Sequence, residues 1–260
     1  MRETLHTQTF GDHGPVVVLL HGLLSIGNNL GAIARALAER ARVIVPDLRN
    51  HGRSFRAAGM AYRELAADLA RTLDAADIAT VRLMGHSMGG KLAMQFALDY
   101  PACCERLMVA DIAPVAYAPH HGPVFDALLS VAARPDADRR ETSRLLEERL
   151  HDSALVSLLL MHRERQPDGS WAWRLGLEQL VAGYEEIIAA PRIDAPGNCW
   201  RGPTLFLRGE RSDYVLPEHH AGITALFPDA SIETLPDAGH WLHAEKQALF
   251  IPRATELLLG

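Results

Sequence analysis

The sequence predicts an α/β protein, a mostly parallel central sheet flanked by helices with a block of helices inserted into it. Three observations carry this. Short apolar runs bounded by Gly, Pro or Asp recur along the chain, segments of helical period separate them, and from about residue 114 to 198 the pattern turns helical before the alternation resumes. Strands alternating with helices mean βαβ units with right-handed crossovers.

Taken in order, the strand candidates are VVVLL at 16–20, RVIVPD at 42–47, VRLMG at 81–85, RLMVAD at 106–111 and TLFLRG at 204–209. Continuous apolar runs of this length fit strands covered on both faces. Between the first two, Leu30, Ile33, Ala34, Leu37 and Ala41 fall on one helical face, with Asn28 or Asn29 as candidate cap. Residues 63–77 and 88–100 behave likewise, and a last helix is expected at roughly 243–258. The inserted block reads as helices broken by the turn QPDGSWAW, where Trp171 and Trp173 alternate as on a short strand pair. One domain over 1–260 is expected, with a core of 1–113 and 199–260 and a cap of about 114–198.

Composition narrows the function classes. A net charge of -6 without a long basic block speaks against nucleic acid and anionic membranes as partners. The start, MRETLHTQTF, lacks the basic and apolar regions of a signal peptide, and PVVVLLHGLL is too short to span a membrane. Three cysteines, 103, 104 and 199, make no complete disulfide framework, so a reduced, cytoplasmic setting is expected. The 13 histidines show no H-E-x-x-H motif or spaced Cys/His set, so neither metal nor other cofactor is called for. The partner expected is a small molecule.

The chemistry concentrates in three places. Gly85-His86-Ser87-Met88-Gly89 is a G-x-S-x-G pattern between an apolar strand and an amphipathic helix, the context in which the serine becomes a nucleophile. The glycines leave room where strand and helix nearly collide, and the strained serine lifts its hydroxyl clear of the sheet. Upstream, the strand ending at His21-Gly22-Leu23 resembles the turn that supplies half of an oxyanion hole. The N–H groups of Leu23 and Met88 are the candidate donors; the His21 side chain reads as a buried turn-stabilising group. Downstream, Asp237-Ala238-Gly239-His240-Trp241 puts a histidine on the loop after the last strand, completing a Ser…acid…His chain order.

HGLLS, DLRNHGRS at 47–54, GHSMGGK at 85–91, DIAPV at 111–115 and GHWLHAEK at 239–246 together resemble the α/β-hydrolase superfamily. More narrowly they are similar to YbfF-type bacterial esterases and their mitochondrial relatives. The resemblance implies the α/β-hydrolase fold, with the helical cap inserted after strand 6 of that fold, the strand ending at Asp111. It also raises a question about the acid. The position that holds it in most of the superfamily, three residues beyond Gly209, is Ser212, with Asp213 one residue further. The subgroup is similar in placing the acid in the DIAP segment, at Asp111, with serine in the usual slot. An aspartate ending an apolar run needs a partner, since unpaired buried charge is costly, and a histidine imidazolium is one. Asp213 also reads as a solvated turn residue. Asp111 is favoured, Asp213 stays as the alternative, and Ser212 is a candidate support for acid or histidine.

The expected activity is a serine hydrolase of carboxylic esters or thioesters of short to medium acyl chains, acyl-CoA among them, working through Ser87, His240 and Asp111. A perhydrolase or haloperoxidase and a C–C bond hydrolase share the fold and triad, and a non-catalytic binding protein is the rival from another class. In the cap, Phe125, Leu128, Leu129, Leu158, Leu159 and Met161 are candidate acyl-pocket residues, against a plain core reading. Lys91, Arg49 and Arg53 are candidate contacts for an anionic substrate, against a structural or solvated role.

Overall fold

The apolar runs of the sequence pack into one sheet. The computed structural model describes residues 3–195 and 197–260; residues 1, 2 and 196, which fall in the expected core and cap ranges, lie outside it. In chain order the elements begin β1 (Thr7–Phe10), β2 (Val16–Leu20), α1 (Gly31–Leu37), β3 (Arg42–Pro46), α2 (Tyr62–Asp74), β4 (Val81–His86), α3 (Met88–Asp99) and β5 (Cys104–Ala110). The cap follows, with α4 (Gly122–Ala132), α5 (Arg139–Leu150), α6 (Ser153–Leu160), β6 (Arg163–Arg165), β7 (Trp171–Trp173), α7 (Leu177–Ala182) and α8 (Tyr184–Ile188). The chain returns through β8 (Thr204–Gly209), α9 (His220–Leu226), β9 (Ala230–Leu235), α10 (Leu242–Glu245) and α11 (Gln247–Leu259). The cap thus enters after the fifth strand counted along this chain.

The seven-stranded sheet has the order β1-β3-β2-β4-β5-β8-β9. β1 runs antiparallel to β3, and the remaining neighbours are parallel. Successive strand residues point to opposite faces, and both faces are apolar for that reason. Val18 and Leu20 join a cluster with α2 and α3, while Val17 and Leu19 join a second one with α1 and α11. Leu128 and Leu159 of the cap belong to the first cluster, so the cap shares its core with one face of the sheet domain.

Two local details differ from the sequence reading. α1 is shorter than the periodic stretch, and neither asparagine caps it: its N-cap is Leu30, and Asn29 donates its amide to Ser25 Oγ (2.8 Å). The last helix is two helices, broken at Lys246 (φ -131°, ψ 47°). The Trp171–Trp173 segment does pair with Arg163–Arg165 as an antiparallel hairpin. In the cap, Asp138 and Asp152 accept from the amides of Glu141 and Leu155 and cap α5 and α6.

Candidate active site

The strand order gathers the motifs. β2, β4, β5, β8 and β9 are consecutive neighbours, so the loops at their carboxyl ends line one edge of the sheet. Chain order reverses between β2 and β4, and clefts of open α/β sheets form at such a switch point. The His21-Gly22-Leu23 turn leaves β2, Ser87 leaves β4 and Asp111 leaves β5. Gly209–Ser212 follows β8, and His240 lies on the loop after β9.

Ser87 stands between the last residue of β4 and the first of α3, with φ 54° and ψ -123°. This left-handed conformation is costly for a residue with a side chain, and the close packing around it enforces it. A Cβ on Gly85 would stand 2.1 Å from Gly89 O, and one on Gly89 would stand 2.3 Å from Leu20 O. The elbow is also tied to the next strand, since Ser87 N donates to Ala110 O (3.0 Å).

His240 faces Ser87 on one side and Asp111 on the other. Its Nε2 is 3.0 Å from Ser87 Oγ and its Nδ1 is 2.7 Å from Asp111 Oδ2. A carboxylate only accepts, so Nδ1 carries the proton and Nε2 is left to accept from the serine. Asp111, also at positive φ (54°), is fully buried, and its charge is compensated by several donors. Gly209 N donates to Oδ1 (2.9 Å), while Ser212 Oγ and His240 both donate to Oδ2. Asp213 is exposed, and the residue after it, Tyr214, stacks its ring on His240 at 4.0 Å. Of the two aspartates weighed from sequence, the one against the imidazole is Asp111.

Further groups fix the loops. His86 donates Nε2–H to the carbonyl of His240 (2.8 Å), and burial, with His243 and His240 nearby, holds its pKa well below the ordinary histidine value. His21 is wholly buried, donating to Gly22 O (2.8 Å) and accepting from Leu48 N (3.0 Å), the turn-stabilising role read from the sequence. His51 of the RNHG segment does the same between Arg49 O and Leu24 N. Arg49 is buried in an ion pair with Asp68 (2.5 Å), a structural charge.

The turn after β2 packs directly on the elbow: a Cβ on Gly22 would lie 3.2 Å from Ser87 Cβ. Leu23 and Met88 both border the cavity beside Ser87, and neither amide makes a hydrogen bond to a described residue. Unpaired N–H groups at a helix start are what an oxyanion requires.

The cavity beside Ser87 is small, about 30 Å³. Much of its wall comes from residues the sequence did not single out: Tyr62, Tyr117, Ile187, Ile188 and Tyr214. His120 and His121 also border it, His120 from an exposed position. Burial pushes His121 down to about 4. None of the six cap residues singled out above borders this cavity. Phe125, Leu128 and Leu159 are core, while Leu129 and Met161 are exposed. Lys91 does border it, but as a buried side chain that donates to Ile188 O (2.9 Å) and Ala189 O (2.6 Å) and lies 4.6 Å from the Tyr117 ring centre. Burial brings its pKa down to about 7.

Comparison with known proteins gives the same neighbourhood. The family model of the alpha/beta hydrolase fold matches residues 15–247. The chain is 36% identical over 251 residues to the mouse sn-1-specific diacylglycerol lipase ABHD11, covering 94% of this chain and 81% of that one. It is 35% identical over 231 residues to Esterase YbfF of Escherichia coli, covering 88% and 87%. Among solved structures, a marine microorganism esterase superposes with a TM-score of 0.95 at 34% identity, covering 99% of this chain and 100% of that one.

Proposed function

The chain belongs to the α/β-hydrolase family, and we propose that it hydrolyses carboxylic esters or thioesters through an acyl-enzyme formed on Ser87. The observation that carries this reading is the hydrogen-bonded row from Ser87 Oγ through both ring nitrogens of His240 to Asp111, at 3.0 and 2.7 Å. The relatives named as esterases and as a diacylglycerol lipase support an ester as the bond cleaved.

In the proposed cycle Ser87 Oγ attacks the acyl carbon while its proton passes to His240 Nε2. The oxygen that gains charge lies against the Leu23 and Met88 amides, each such donor being worth roughly 100- to 1000-fold in rate. Collapse breaks the C–O or C–S bond, and the imidazolium gives its proton to the departing alkoxide or thiolate. A water then loses a proton to Nε2 and attacks the acyl-serine, releasing the acid and restoring the hydroxyl. Asp111 stays ionised throughout and steadies the imidazolium. The free thiols of Cys103, Cys104 and Cys199 support a reducing, cytoplasmic setting.

A fluorophosphonate probe tests the reading. One equivalent should add to the protein at Ser87, as read by peptide mass, and p-nitrophenyl butyrate hydrolysis should be lost in proportion. A protein that hydrolyses the ester and stays unlabelled, or a Ser87→Ala variant that turns over at the wild-type rate, would overturn it.

A further inference from the structure

A solvent-open groove adjoins the first cavity, sharing Tyr62 with it, and its border includes the exposed Glu64, Glu186 and Arg192. It measures about 490 Å³, against about 30 Å³ beside Ser87, and is bordered by Tyr62, Gln95, Glu186, Ala189 and Arg192 among others. The two are separated by very little protein. Tyr62 borders both. Lys91 borders the first and Gln95, one helical turn along α3, the second; Ile188 borders the first and its neighbour Ala189 the second.

The partition between them is held by hydrogen bonds. Tyr62 Oη donates to Ile187 O (2.5 Å), and Lys91 Nζ donates to Ile188 O and Ala189 O. Gln95 pairs with both backbone groups of Arg192, donating to its carbonyl (3.0 Å) and accepting from its amide (2.7 Å). A core helix thereby holds the returning end of the cap, residues 187–192, against the pocket. A lysine is an unusual group to place there, since burying its ammonium is unfavourable. A four-carbon stem with a donor at its tip both fills space and binds carbonyls, two functions an aliphatic residue cannot combine.

We infer that the Tyr62–Lys91 partition sets the acyl length of the substrate, holding the pocket to acyl groups of a few carbons and separating it from the open groove on its other side. This rests on the proposed ester hydrolysis at Ser87 and specifies its substrate. A cavity that admits about two waters takes an acetyl or propionyl group and no octanoyl chain unless the partition gives way. Trimming Lys91 joins the two spaces and leaves the Ile188 and Ala189 carbonyls facing the joined cavity.

The test is the ratio of kcat/KM for p-nitrophenyl octanoate to that for the acetate. The wild type should show a steep fall beyond the butyrate. Lys91→Ala should raise the ratio on the order of tenfold or more, each added methylene now finding apolar contact. Lys91→Met fills the same space without the donors and should stay close to the wild-type ratio. Tyr62→Leu opens the partition from the other side and should shift the ratio as Lys91→Ala does, which keeps the test alive should one variant fold poorly by thermal melt. A wild type that takes octanoate as readily as butyrate, trimmed variants with the wild-type profile, or a Lys91→Met that matches Lys91→Ala would each overturn the inference. Failure of the underlying hydrolase reading looks different: Ser87→Ala would then cleave every ester in the series.

Discussion

Ser212 donates its hydroxyl to the same carboxylate oxygen of Asp111 that accepts from His240 Nδ1. The serine occupies the slot read from the sequence as the usual place of the acid, and Asp111, the acid proposed here, lies at the end of the neighbouring strand. The two loops meet because β5 and β8 pair in parallel, with Ala110 opposite Leu207. Ser212→Ala removes one of the donors that hold the buried charge. A hydrogen bond to a charged group contributes about 1.5–3 kcal/mol, so the variant should melt several degrees lower. Its kcat for p-nitrophenyl butyrate should fall roughly tenfold, as expected when an orienting group is loosened and none is removed. Calorimetry and initial rates on the same preparation check both.

Asp111→Asn tests the acid. An amide offers N–H where the imidazole needs an acceptor and reverses the tautomer, so kcat should drop on the order of 10⁴-fold. Asp213→Asn, on an exposed side chain, should stay within about twofold of wild type, as surface substitutions do. Paired steady-state rates decide, and the reverse ranking would return the acid to the loop after β8.

The Tyr214 ring covers one face of His240, and its hydroxyl sits 2.7 Å from His120 Nε2. If the stack keeps the imidazole in register with Ser87, Tyr214→Phe keeps most of the activity and Tyr214→Ala loses roughly two- to tenfold, the range of a 0.5–1.5 kcal/mol aromatic contact.

Acid should weaken the seating of the cap. His162, buried between α6 and β6, is pushed down to about 4, and burial also lowers His21 and His51 beneath it. A histidine whose folded value lies below its unfolded one takes up its proton first in the unfolded chain. Its neutral packing is therefore fully present above about pH 6.5 and is lost as the pH falls toward 4. His162 can cost roughly 3 kcal/mol by the bottom of that window. Urea midpoints measured from pH 7.5 to 4.5 should fall, and His162→Leu should flatten the slope.

Much of this was legible from residue order alone. The runs at 16–20, 81–85 and 204–209 read as buried strands because both faces of the sheet are covered, leaving no polar side to mark them. Ser87 and His240 were legible because the elbow and the Gly-His turn impose local backbone demands on nearby glycines. The alternative at Asp213 arose because a carboxylate one residue from the usual slot looks equivalent in sequence, whereas in space it points to solvent. The walls of the pocket were hidden for a different reason. Tyr62, Tyr117, Ile187 and Tyr214 come from separate elements that meet only once the cap folds over the sheet, and no period links them. Of the cap residues weighed as pocket or core, Phe125, Leu128 and Leu159 are buried in the core, while Leu129 and Met161 are exposed.

The chain leaves the sheet at Asp111 and runs through the buried segment Ile112-Ala113-Pro114 into the cap. Asp111, the proposed acid, therefore stands at the root of the inserted helices. Where the acid follows β8, a cap can be exchanged without disturbing its footing; here the stalk of the cap and the carboxylate share one backbone. Transplanting a foreign cap into this scaffold to alter selectivity would have to keep that four-residue stalk intact, or the new specificity would arrive with a misaligned imidazole.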